Sequence, residues 1–132
     1  MWKSIATLIF VSFPLLAHAL TPLHENRVVV NGFYAIGLAD EVRKNCESIG
    51  PRYFRAYNYL KSLERYARDS GYSEAQIDDL VDNKEEKERL RGRIRAELAK
   101  RGATPKTPEG YCLVGLEEIA KGSAAGKLLR AK

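Results

Sequence analysis

The segment PRYFRAYNYLKSLERYARDSG, residues 51–71, decides the fold class. Pro51 lacks an N–H and has its φ fixed near the helical value, so it suits the first position of a helix. Gly71 supplies the left-handed stop at the other end. No proline or glycine interrupts the run between them. Wound at the α-helical period, Tyr53, Ala56, Tyr57, Tyr59, Leu60, Leu63, Tyr66 and Ala67 cover about half the cylinder. So broad an apolar surface predicts the central helix of an all-α domain. Its tyrosines read first as core packing with hydroxyls reaching the rim. A binding groove is the other reading of the same residues.

Working outward toward the N-terminus, Glu47 to Gly50 reads as a turn. A first helix precedes it, starting between Glu25 and Asn31 and running to about Cys46. Phe33, Ile36, Ala39 and Val42 recur along it at helical spacing. Gly37 costs about 1 kcal/mol against alanine and marks a position of close packing. Val28-Val29-Val30 before Asn31-Gly32 also suits a strand entering a hairpin. No second strand follows, which favours helix, but helix, strand and loop all stay open for Val28–Val30. Thr21-Pro22-Leu23-His24 reads as an exposed arm.

Toward the C-terminus, Ser73 with Gln76 forms a capping box for a short third helix with Ile77, Leu80 and Val81 inward. Asn83 with Glu86 caps a fourth, which runs to Arg101 and ends at Gly102. Leu90, Ile94 and Leu98 form its narrow stripe. Thr107 as cap, Pro108 at the first position and Glu109 in the first turn open a fifth. That helix carries Tyr111, Cys112, Leu116 and Ile119 and stops near Gly122. Ser123 caps a last short helix containing Leu128 and Leu129. Gly122 to Lys127 has the glycines of a phosphate loop but no Ser or Thr after the lysine, so it reads as a helix break that lets elements approach closely. Residues 20–132 are thus predicted to form one small orthogonal bundle of about five helices.

The first nineteen residues are of another kind. Lys3 precedes the apolar run Ile5 to Leu16, and Ala17-His18-Ala19 places small residues where a signal peptidase reads. This predicts a signal peptide, 1–19, with Ala17 and Ala19 as the signal-cleavage residues. The run is too short, and too interrupted by Pro14, for a membrane anchor. No transmembrane segment is expected in the mature chain, and the expected location is periplasmic or secreted. In an oxidising compartment Cys46 and Cys112 read as a disulfide, with a single possible pairing. Closing so long a loop is worth roughly 4 kcal/mol on chain-entropy reasoning. Domains of this size are stable by only about 5–15 kcal/mol, so the bond is a large share. There is no C-x-x-C, so a redox-active pair is disfavoured. A Cys–His nucleophile would need His24 from the arm.

Nothing in the chain rises to a catalytic, cofactor or metal motif. One histidine remains after cleavage, and neither H-E-x-x-H nor a calcium-loop spacing occurs. The formal net charge is +5, and loss of Lys3 lowers it to +4. A mild excess spread among mixed charges argues against nucleic acid as a partner. Lys87, Arg91 and Arg95 lie on one side of the fourth helix, as a strip for an acidic surface or, more simply, as a solvated face. Glu85–Arg89 and Glu97–Arg101 have the favourable i, i+4 spacing, worth a few tenths of a kcal/mol each. Asp40 and Glu41 are adjacent and do not share a helix face, so they make a poor acid–base pair; Asp40–Lys44 is an i, i+4 ion pair. The reading that follows is a non-enzymatic periplasmic binding or envelope-associated protein with an unidentified protein or envelope partner and no cofactor. Its alternatives are an enzyme acting on envelope polymers and an acid-stress periplasmic chaperone.

Gly37-Leu38-Ala39-Asp40, Arg43-Lys44-Asn45-Cys46, Gly71-Tyr72-Ser73, Tyr111-Cys112 and Gly122-Ser123 with Leu128-Leu129-Arg130 resemble a family of small exported alphaproteobacterial proteins, a domain of unknown function. The resemblance spans nearly the whole mature chain and centres on the two cysteines. It implies an alphaproteobacterial periplasmic setting and no catalytic role. The leader reading has a direct check: protein recovered from the cell envelope should begin at Leu20 by intact mass, whereas a chain still beginning at Met1 would refute it.

Overall fold

The computed structural model describes residues 20–132. The predicted signal peptide 1–19, with Ala17 and Ala19, lies outside the described residues. The predicted five helices are present: α1 Arg27–Asn45, α2 Tyr53–Asp69, α3 Glu74–Asp82, α4 Lys84–Lys100 and α5 Glu109–Lys121. Cys46, just beyond α1, is bonded to Cys112 in α5, their Cα atoms 5.2 Å apart. Two short strands, β1 Ile49–Pro51 and β2 Leu129–Ala131, and 3-10 turns at Leu23–Glu25 and Gly126–Leu128 complete the fold.

The central helix is α1, not α2. Val29, Gly32, Ala35, Leu38, Ala39, Glu41 and Val42 are all buried on it. Three other helices approach it where side chains are small or missing. A Cβ on Gly32 would lie 2.4 Å from a methyl of Leu63 in α2, and one on Gly37 would lie 2.5 Å from Ile94 Cδ1 in α4. On α5, a Cβ at Gly115 would lie 2.7 Å from a methyl of Val42. The close packing expected of Gly37 is therefore real, and it brings in α4. By contrast α2 buries only Leu63 and Ala67. It packs by one edge, and no other described element covers the face that carries Tyr53 and Tyr57.

Local signals set the helix ends. Asn26 Oδ1 accepts from the N–H groups of Val28 and Val29, so Val28–Val30 is helical and the hairpin does not form. The Ser73–Gln76 capping box is complete, and Asn83 Oδ1 accepts from Glu86 N–H at 3.0 Å. Gly71, Gly102 and Gly122 take positive φ after α2, α4 and α5, which suits a residue without a Cβ. Thr107 departs from its expected role. Its hydroxyl accepts from Thr104 N–H and donates to the Gly102 carbonyl, so it closes the α4–α5 loop instead of capping α5. Leu116, expected inside, is 48% exposed, while Val114 and Gly115 turn inward.

The chain ends are more ordered than expected. Leu23 is buried with Val29, Ala67, Tyr72 and Ile77 in a satellite core, and the Tyr72 hydroxyl donates to the Thr21 carbonyl at 2.5 Å. The segment is a docked turn, not an exposed arm. Pro51 does not open α2. It closes β1, whose residues Ile49, Gly50 and Pro51 face Ala131, Arg130 and Leu129 of antiparallel β2. Leu129, expected in a terminal helix, is thus in a strand. Proline is tolerated here because the ladder is an edge. Ser123 does cap the last turn, accepting from Gly126 N–H at 3.0 Å.

Gly126 sits where no side chain fits, since a Cβ there would lie 1.9 Å from the Glu118 carbonyl oxygen, whereas Gly92 in α4 has nothing within 4 Å. Backbone cannot yield as a side-chain tip can. Gly126→Ala should therefore cost about 2 kcal/mol or more, while Gly92→Ala should gain roughly 0.5–1 kcal/mol. Urea unfolding of both variants checks the opposed signs.

Candidate binding surface

Two features adjoin at Tyr53 and Ala56. The first is a groove of about 380 Å³ where α1, α4 and the segment around β2 meet. Phe33, Ile36, Leu90 and Ile94 contribute its apolar lining, and Leu128 and Leu129 extend it toward the start of α2. Gly37 leaves room for Ile94 to enter that lining. The rim carries Asp40, Glu41, Arg43, Lys87 and Arg91.

Most of that rim is internally paired. Asp40 meets Arg43 at 2.6 Å and Lys44 at 2.5 Å, as its spacing from Lys44 predicts. Burial works to raise the Asp40 pKa, but its bond to Lys44 and the charge of Arg43 outweigh it and hold the carboxyl below its usual range. Glu41 points the other way and is buried, facing Arg95 at 3.4 Å and Arg91 at 4.0 Å. Two of the three residues of the basic strip on α4 therefore turn toward a carboxylate on α1 and are not simply a solvated face. Lys87, the third, has no ion-pair partner among the described residues. The Glu85–Arg89 pair forms at 2.6 Å. The Glu97–Arg101 pair does not, because Arg101 reaches Glu118 at 2.8 Å and Glu117 at 3.1 Å on α5 instead. A half-buried guanidinium between two carboxylates outcompetes one exposed partner along its own helix.

The second feature is the first half of α2. Tyr53, Phe54 and Tyr57 are 68%, 79% and 58% exposed. Tyr53 lies on the groove rim, and the Arg43 guanidinium stands 5.7 Å from its ring centroid, while Lys61 stands 5.6 Å from that of Tyr57. The expected core role is met by Leu63 and Ala67, with Ala56 and Tyr59 half-buried against the core. Three aromatic side chains with no protein layer over them make the larger functional signal; sequence periodicity read Tyr53 and Tyr57 as core and left Phe54 off that face. A better cue was charge. Residues 48–63 and 119–132 hold no acidic side chain, and the β1–β2 ladder places these two stretches side by side. The acids collect elsewhere, with Glu74, Asp78, Asp79 and Asp82 exposed along α3, which begins beyond the opposite end of α2.

Neither sulfur is available as a nucleophile. Cys46 and Cys112 are joined, with the Ser48 hydroxyl 3.2 Å from Cys46 Sγ, and His24 rests against Glu25 at 3.6 Å. Among the described residues no group of three or more His, Cys, Asp or Glu side chains is gathered to hold a metal. No described helix is long and apolar enough to cross a membrane. Residues 21–130 match a family of unknown function, DUF5333. No curated protein and no solved structure matches.

A carboxyl with a lowered pKa adds stability above its ordinary 3.8 and loses it as pH falls through the lowered value. The Asp40 side chain is 36% exposed, so solvent trims the effect to about 0.5–1 kcal/mol. Asp40→Asn should lose that much at neutral pH and nothing relative to wild type well below pH 3.8. Denaturant titrations at the two pH values check the convergence.

Proposed function

The chain belongs to the family of unknown function DUF5333, and from that premise we propose that it is an exported, non-enzymatic binding protein of the alphaproteobacterial envelope, periplasmic or secreted. The matched region begins at Thr21, two residues behind the expected cut after Ala19, which supports a removable leader. The long-range disulfide suits an oxidising compartment.

The observation that carries the binding reading is the exposure of Tyr53, Phe54 and Tyr57 together. A folded chain gains by burying aromatic rings. Single exposed apolar residues need no explanation, but a cluster beside an apolar groove marks an interaction site. Asp40 is poorly suited to act as a general acid. A catalytic acid needs a raised pKa, and the two cations on Asp40 hold it down instead.

A photo-crosslinking residue in place of Phe54, compared with one in place of Arg89 on α4, tests the reading in cells. Adducts to envelope protein, glycan or lipid should form from position 54 and not from position 89. Equal yields from both, or none from position 54, would overturn it.

A further inference from the structure

We infer that the aromatic end of α2 docks on an anionic lipid surface, with Tyr53, Phe54 and Tyr57 entering the headgroup layer and the surrounding cations facing lipid phosphates. The inference rests on the binding reading above and names the partner of that same surface.

Charge complementarity decides the occupant. Arg52 and Arg55 flank the aromatic turn on α2, and the β1–β2 ladder brings Lys127, Arg130 and Lys132 to the same end. Arg52 is fixed to this join, its N–H donating to the Leu128 carbonyl and its Nε–H to that of Leu129 at 3.0 Å. None of these five cations has an ion-pair partner among the described residues. Of the acids that border these two stretches, Glu64 is held by Lys61 at 2.9 Å and Glu118 by Arg101 at 2.8 Å, which leaves Glu47, exposed before β1, as a single carboxylate against the five cations. The first turn of α2 holds no acid and no side chain caps it, so the partial positive charge of the helix end adds to the same field.

Shape points the same way. Phe54 is the most exposed large apolar side chain among the described residues at 79%, and neither it nor Tyr57 lines the groove that Tyr53 borders, so these two rings stand clear of any cleft built around a partner's side chain. Aromatic side chains with polar tips partition to the headgroup layer, and each Lys or Arg brought to an anionic leaflet multiplies binding roughly fivefold. Several cations and three rings together suffice for reversible peripheral attachment, with no helix crossing the bilayer.

Vesicle sedimentation of the mature protein tests this, with equimolar phosphatidylglycerol and phosphatidylcholine against phosphatidylcholine alone. Binding should occur on the anionic vesicles only and be lost near 1 M salt, where screening shortens to about 3 Å. Arg55→Glu with Lys127→Glu should weaken it more than tenfold, and so should Tyr53→Ser, Phe54→Ser and Tyr57→Ser together. These side chains are exposed, so circular dichroism should show both variants folded. The sole tryptophan of the chain is Trp2, in the predicted leader. Phe54→Trp therefore gives the mature protein a single reporter, whose emission should shift to the blue with anionic vesicles, while Arg89→Trp should not respond. Equal binding to both vesicle types, or no binding to either, overturns the lipid assignment. If vesicles are not bound and position 54 crosslinks to protein, the binding reading stands with a different partner. If position 54 also yields no adduct, both fall.

Discussion

Each of the other long helices is placed by how near it can come to α1, and that nearness is granted by missing side chains. Leu63 of α2 occupies the space over Gly32, Ile94 of α4 the space over Gly37, and Gly115 of α5 clears Val42. At such distances a methyl group is the difference between contact and collision. Val42, in the middle, is wholly buried. Glu41 is admitted to the same helix only because two arginines of α4 reach it. An isolated buried carboxylate would be expensive; a paired one fixes which face of α4 meets α1.

Past the end of α1 the chain cannot rely on helix packing, and a different device takes over. The disulfide anchors Cys46 to α5, and three residues later β1 pairs with β2. The Leu128 carbonyl then receives the Arg52 N–H at the threshold of α2. One covalent link and one short ladder thus fix the direction in which α2 departs. The tyrosines stand in solvent because the helix is held by its beginning and by one edge, with no element left to cover the rest.

What the sequence disclosed divides by range. Ser73 with Gln76, and Asn83, act on N–H groups three residues away, so their helix starts were legible, whereas the cap at Asn26 competed with a hairpin reading and the start of α1 stayed open. Leu90, Ile94 and Leu98 were legible because a narrow stripe allows one orientation. The centrality of α1 was not, since Gly32, Ala35 and Ala39 have little hydrophobicity of their own and matter through what lies over them. The opposite error befell α2, where apolar breadth was taken for burial. Thr107 and Arg101 each had a plausible local partner and found a better distant one. Pairing of residue 49 with residue 131 leaves no local trace. The binding surface was therefore half visible: Tyr53 and Tyr57 had been noticed and Phe54 had not, and nothing local showed that the three face outward together.

The separation of charge along α2 has an effect on motion as well as on contact. Its seventeen residues span about 25 Å, with the uncompensated cations gathered at its start and the carboxylates of α3 beginning beyond its finish. A body so polarised feels a torque in any external electric gradient while still at a distance. It rotates into alignment before collision, and a larger share of encounters is productive than random tumbling would give.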